Sequence, residues 1–219
     1  MKFITIVFLS ISTITLSAQN INWANLRDNE KHFVSATTGL DYGLIFGAGY
    51  GQRLNTKIPL IISGDYSQPA GKVVFDDLKT RVGAQAMLLK LNNFRFTAKI
   101  YGVFRLFNNE VVRLSNFGTD MSGVIGYYRP RWFVATEIGF DKAIATHVRH
   151  TQAYKNDFPG AVGGWYQPAT GGNFNYGLLG GLSLGRADLS LAVGRVVTQD
   201  FKSTPFIPFY VKIGVAFKF

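Results

Sequence analysis

From Leu40 onward the sequence exchanges a bulky apolar residue for a small or polar one at nearly every step. Successive side chains of a β-strand point to opposite faces, so this period of two describes strands, each with one apolar and one polar face. In the run from Leu40 to Arg53, Leu40, Tyr42, Leu44, Phe46, Ala48 and Tyr50 share one face, while Asp41, Gly43, Ile45, Gly47, Gly49, Gly51 and Arg53 share the other. Phe94, Phe96, Ala98, Ile100 and Phe104 oppose Arg95, Thr97, Lys99, Tyr101 and Arg105. Trp132, Val134, Ile138 and Phe140 oppose Ala135, Glu137 and Asp141, and Phe209 to Phe219 alternates in the same way. Short Gly, Asn and Pro clusters separate the runs, and helical periodicity is almost absent after residue 18.

Which face meets solvent decides the architecture. A water-soluble sandwich would carry Lys, Glu and Thr on its polar face. Here that face is Gly, Ser and single charges, a composition suited to a crowded interior. The apolar face is large and bears aromatics near its ends. A strand that spans a bilayer needs about 9–11 tilted residues, with an apolar band between aromatic girdles. Lipid cannot satisfy open backbone groups, so such strands must close on themselves. The expected fold is all-β, an antiparallel up-and-down transmembrane β-barrel over residues 19–219. The turns divide it into about ten strands, an even number as in single-chain barrels. Eight strands with an N-terminal plug segment, or twelve strands, are the alternatives. Short connections at Asn55–Lys57, Asn92–Asn93, Arg129–Arg131 and Arg186 define one end. Longer ones at 68–77, 108–113, 143–172 and 199–205 define the other.

The first residues set the compartment. "MKFITIVFLSISTITLSAQN" has a basic start at Lys2, an apolar run to about Leu16, then small residues at Ser17 and Ala18. This is the layout of a secretory signal peptide over residues 1–18, and the run is too short for a spanning helix of about 20 apolar residues. The formal charge of +10 would suit a polyanionic partner. Export argues against nucleic acid and for anionic lipid headgroups, with Arg105, Arg113, Arg149, Lys155 and Lys202 near the outer rim as candidates. The 219 residues contain no Cys, which excludes disulfides and thiolate chemistry.

The last strand resembles a feature of outer-membrane barrels of Gram-negative bacteria, a C-terminal pattern of polar residue, Gly and two aromatics. Lys212, Gly214, Phe217 and Phe219 match it position for position. The resemblance implies residence in the cell outer membrane and recognition by the barrel-assembly machinery. It names no subfamily.

Inward charges are expected to be Asp65, Arg81, Arg95, Lys99, Arg105, Asp120, Glu137 and Asp141. Buried charges must be paired, so they are expected to form a polar network that largely plugs the barrel, with Lys99 bonded to Asp120. The role this suggests is structural or permeability-related, with a small molecule as candidate ligand. The alternatives are a surface enzyme acting on lipid or peptide through residues 143–172, and an adhesion or partner-binding module. In that segment His147 and His150 could share a helical face near Asp157, but two His without a placed third ligand are weak grounds for a metal site. The catalytic sets of omptin-like proteases, lipid A deacylases and phospholipase-type barrels each lack a member here. No catalytic residue, cofactor or metal is therefore expected.

Overall fold

The computed structural model describes residues 20–71, 75–168 and 171–219. The expected signal segment, residues 1–18, lies outside them. Eleven strands form one antiparallel sheet: β1 His32–Leu40, β2 Leu44–Leu54, β3 Leu60–Pro69, β4 Asp77–Leu91, β5 Phe94–Asn108, β6 Val112–Arg129, β7 Trp132–His150, β8 Gly164–Tyr166, β9 Gly172–Leu184, β10 Ala187–Thr198 and β11 Phe209–Lys218. Each pairs with the next around the ring, β7 pairs with β9, and β11 pairs back to β1. The ring is thus closed by ten strands, with β8 outside it on the upper part of β7.

Alternation places the side chains as the pleat requires. Ile62, Val82, Ile100, Ile125, Val134, Ile138, Leu178, Leu191 and Ile213 point outward and are exposed. Ile61, Tyr101, Val124, Phe133, Leu179, Ala192 and Tyr210 point inward and are buried. A bulge between Met87 and Leu89 shifts the phase of β4, which explains why Leu88, Leu89 and Leu91 are all exposed.

The closing seam runs from Phe33 opposite Lys218 to Leu40 opposite Val211. It is extended by Phe219, whose carbonyl accepts from the backbone N–H groups of Lys31 and His32. Gly39 makes the close approach possible. Its φ is +150°, and a Cβ built there would lie 2.0 Å from the carbonyl oxygen of Val211. The turn to β2 falls after Leu40, over residues 41–43.

Residues 143–150 were expected in the long loop, but they extend β7. Residues 112–117 of β6 pair with 145–150, so a β6–β7 hairpin stands above the rest of the rim. The pattern hides this because His147 and Arg149 occupy the outward positions, leaving no apolar face to count. The remaining loop folds into a helix, α1 Gln152–Asp157, capped by Thr151 Oγ1, and then β8.

Residues 20–31 enter the barrel at its short-turn end. Ile21, Trp23 and the inward side chains Phe33, Ile61, Val124, Tyr128 and Phe133 make one core cluster. Tyr128 and Phe133 stack at 5.2 Å. The sequence reading set an N-terminal plug and ten strands as alternatives; the molecule has both.

A Gly39→Val substitution forces a side chain into the backbone of β11 at the seam. Overpacking of a closed core costs about 1–3 kcal/mol even where atoms can shift. The expected outcome is loss of the compact folded band on an unheated denaturing gel, with Gly64→Ala, where a Cβ meets nothing closer than 3.6 Å, behaving as wild type.

Candidate functional site

The interior has two storeys. At the short-turn end a polar cluster is sealed among the apolar side chains. Lys218 and Asp188 are both 0% exposed. Lys218 Nζ donates to Asp188 Oδ1 at 2.9 Å and to the Asn25 carbonyl at 3.0 Å. The other carboxylate oxygen, Asp188 Oδ2, accepts from the backbone N–H of Asn22. Asn22 Nδ2 donates to the Arg129 carbonyl and to Ser183 Oγ, both at 2.8 Å. The plug segment is therefore bolted to β6, β9, β10 and β11. Sequence reading missed Lys218 and Asp188, although both sit at inward phases at the ends of their strands.

Above this floor lies a chamber of about 380 Å³. Strands β3 to β7 carry most of its charges. Arg81 donates through Nε and Nη2 to Asp65, both bonds at 3.1 Å, and through Nη1 to Asp120 at 2.8 Å. Its guanidinium lies 5.1 Å from the centre of the Tyr101 ring. Lys99 donates to Glu137 Oε1 at 2.9 Å, and Ser122 Oγ donates to the same oxygen at 2.7 Å. The expected Lys99–Asp120 pair is therefore not made. Register explains the difference: Lys99 stands opposite Ser122 and reaches over it to β7, while Asp120 stands opposite Tyr101, under Arg81. A guanidinium's fork can hold two carboxylates, which a lysine cannot do with the same geometry.

Arg105 forms a two-pronged pair with Asp77, at 3.1 and 2.8 Å, and its guanidinium lies 4.4 Å from the Tyr42 ring. Tyr42 was read as an outer-face aromatic. It sits in the β1–β2 turn and folds inward, its hydroxyl 3.0 Å from Ser67 Oγ. Lys212, singled out as part of the C-terminal pattern, points inward and pairs with Asp41 at 3.6 Å. Phe217 and Phe219 of that pattern are exposed, and a Cβ at Gly214 would lie 2.8 Å from Ser190 Oγ. Asp141 borders the chamber and accepts from the backbone N–H of Asn173. Arg95 is buried but stands apart from these groups. It bonds the carbonyls of Asn92 and Phe94 at the β4–β5 turn.

A side lobe of about 400 Å³ shares Lys79, Arg105, Asp141 and Asn173 with the chamber and reaches under the β6–β7 hairpin. The β10–β11 loop hangs over the mouth, with Phe206 99% exposed and bordering the chamber. Asp200 shapes that loop. Its Oδ1 accepts from the N–H groups of Lys202 and Ser203 and from Thr198 Oγ1. The Lys202 backbone bond, with the others, holds this carboxyl well below the usual carboxylate range. Lys142 Nζ donates to Gln199 Oε1 and the Pro168 carbonyl, tying two loops together.

His147 and His150 do not share a helical face. They lie on β7 at positions of opposite phase, His147 against Trp165 at 4.8 Å and His150 stacked on Tyr154 at 4.9 Å. Among the described residues no group of three His, Cys, Asp or Glu is placed to hold a metal ion. Arg195 is exposed on the outer face, opposite Tyr176 on one side and Phe209 on the other.

The chain matches no family model and no curated protein. Among solved structures it is similar to the KdgM porin in complex with disordered oligogalacturonate, at 11% identity over 85% of this chain and 99% of that one, with a TM-score of 0.44. The KdgM porin alone aligns at 10% identity over the same shares, with a TM-score of 0.42. The Yersinia pestis outer membrane protein Ail in a phospholipid bilayer nanodisc aligns at 11% identity over 87% of this chain and 100% of that one, with a TM-score of 0.33.

The floor generates a double-mutant test. Lys218→Met or Asp188→Leu alone leaves an unmatched buried charge and should cost about 3–5 kcal/mol. The combined variant should recover a large part of that loss, read as the urea midpoint of the detergent- or lipid-embedded protein.

Proposed function

We propose that this chain is an integral protein of the Gram-negative outer membrane whose barrel holds a blind chamber for a small ligand, open toward the long loops. The observation that carries the reading is the closed ring with an exposed apolar exterior and an interior of paired charges. In water such an exterior would be an unmatched apolar surface on every side. In a bilayer it is the expected solvent-facing surface, and closure satisfies every ladder. The short turns then face the periplasm and the loops face outside. Phe217 and Phe219, at the lipid side of β11, with Lys212 and Gly214, serve as the address for assembly, after removal of residues 1–18.

A binding or narrow-permeability role fits better than a wide pore. The floor packs Ile21 and Trp23 against Phe33, Ile61, Val124, Tyr128 and Phe133. The chamber above it has the volume of small-molecule sites, which run from about 300 to 1,000 Å³.

Anionic headgroups are the expected outer-leaflet partners. Arg113 and Arg149 stand directly opposite each other on the outward face of the β6–β7 hairpin and are exposed. Like charges so placed repel, and among the described residues no carboxylate offsets them. Below them Phe104, Phe117 and Trp165 make an aromatic patch. A lipid phosphate above that patch would neutralise the pair.

Two outcomes are expected. In planar bilayers the wild type should show no steady large conductance, and Asn22→Ala combined with Trp23→Ala should introduce openings; steady wide channels from the wild type would overturn the closed-floor reading. Arg113→Glu with Arg149→Glu should weaken binding of phosphate-bearing lipid to the detergent-solubilised protein several-fold, measured by co-purified lipid phosphate.

A further inference from the structure

The charges of the chamber leave a remainder. Asp65 and Asp120 share Arg81, Glu137 holds Lys99, Asp77 holds Arg105 and Asp41 holds Lys212. Lys79 and Asp141 have no such partner among the described residues. Lys79 Nζ lies over the face of Tyr42, 5.9 Å from the ring centre, and its charge acts on Asp41, Asp120 and Asp141 without an ion pair to any of them. Asp141 accepts one backbone bond, from Asn173, through Oδ1. Both side chains border the main chamber and the side lobe, at the place where the two spaces meet.

One cation and one carboxylate, neither in an ion pair among the described residues, thus line one space large enough for a ligand. An unpaired charge beside a low-dielectric wall is costly, and a ligand that supplies its counter-charge recovers that energy. A simple anion would satisfy Lys79 and leave Asp141 facing added negative charge. A simple cation would do the reverse. A molecule carrying both signs satisfies both ends at once and leaves the chamber's charge balance unchanged.

We propose that the chamber binds a small zwitterion, with its carboxylate at Lys79 and its ammonium group at Asp141. A dipeptide, whose two charges stand several bonds apart, is the class of zwitterion taken for a space lined by both groups. Tyr42, Tyr101 and Tyr210 line the walls, and Phe206 overhangs the opening, so apolar parts of the ligand meet aromatic surface. This inference rests on the chamber being a ligand site, as proposed above.

The test uses the full protein in detergent micelles and isothermal titration with three probes: alanyl-alanine, its N-acetylated form and its C-amidated form. The zwitterion should bind at least tenfold more tightly than either blocked form. Lys79→Met should remove the preference for the free carboxylate, so that alanyl-alanine and its amide bind alike. Asp141→Asn, which keeps the acceptor used by Asn173, should remove the preference for the free amine. Circular dichroism and the compact gel band check that each variant folds. Equal binding of the three probes, tighter binding of a blocked form, unchanged selectivity in the variants, or no binding by the wild type would each overturn the proposal. A wild type that conducts widely yet still discriminates the three probes would sink the closed-floor reading and spare this one. A closed barrel that binds none of them would do the opposite.

Discussion

A β-strand cannot satisfy its own backbone; its N–H and C=O groups must find a neighbouring strand, and a sheet with two free edges leaves a row of them unpaired at each. The seam between β1 and β11 is where this chain meets that demand. These strands come from opposite ends of the sequence, and their pairing from Phe33–Lys218 to Leu40–Val211 turns an open sheet into a ring. The seam is also short, since β1 has nine residues against nineteen in β7. Its extension by Lys31, His32 and Phe219 lengthens the closure at the short-turn end. Gly39 permits close approach at the other.

Closure creates an interior, and the interior must then be filled or matched. The two storeys do this differently. Near the short turns, residues 20–31 fill the ring with Ile21 and Trp23 and leave their polar backbone to the Asn22, Asp188 and Lys218 cluster. Nearer the loops, side chains of opposite sign meet across two or three strands, and aromatic faces lie against the guanidinium groups of Arg81 and Arg105. Packing excludes solvent below, and pairing tolerates it above. The chamber is what remains where charges line a space without filling it.

The tall β6–β7 hairpin changes the rim from a level edge to a slope. It carries β8 and α1, and the loops that surround the mouth are joined by Lys142 and by the hydrogen bonds of Thr151 to the β5–β6 turn. The mouth is therefore built from linked pieces of three connections.

The sequence alone determined that the chain alternates, which faces are apolar, and that the strands must close in a ring of about ten. These follow from a two-residue period and from the lack of hydrogen-bond partners in lipid, both local or general constraints. It also placed Asp65, Arg81, Lys99, Arg105, Asp120, Glu137 and Asp141 on the inner face, because phase within a strand is a local property. Only the tertiary structure decided who meets whom. Lys99 reaches Glu137 instead of Asp120, Tyr42 turns in over Arg105, and Lys218 is buried against a segment almost two hundred residues earlier. Stagger between tilted strands sets those distances, and one strand's sequence carries no record of its neighbour's register.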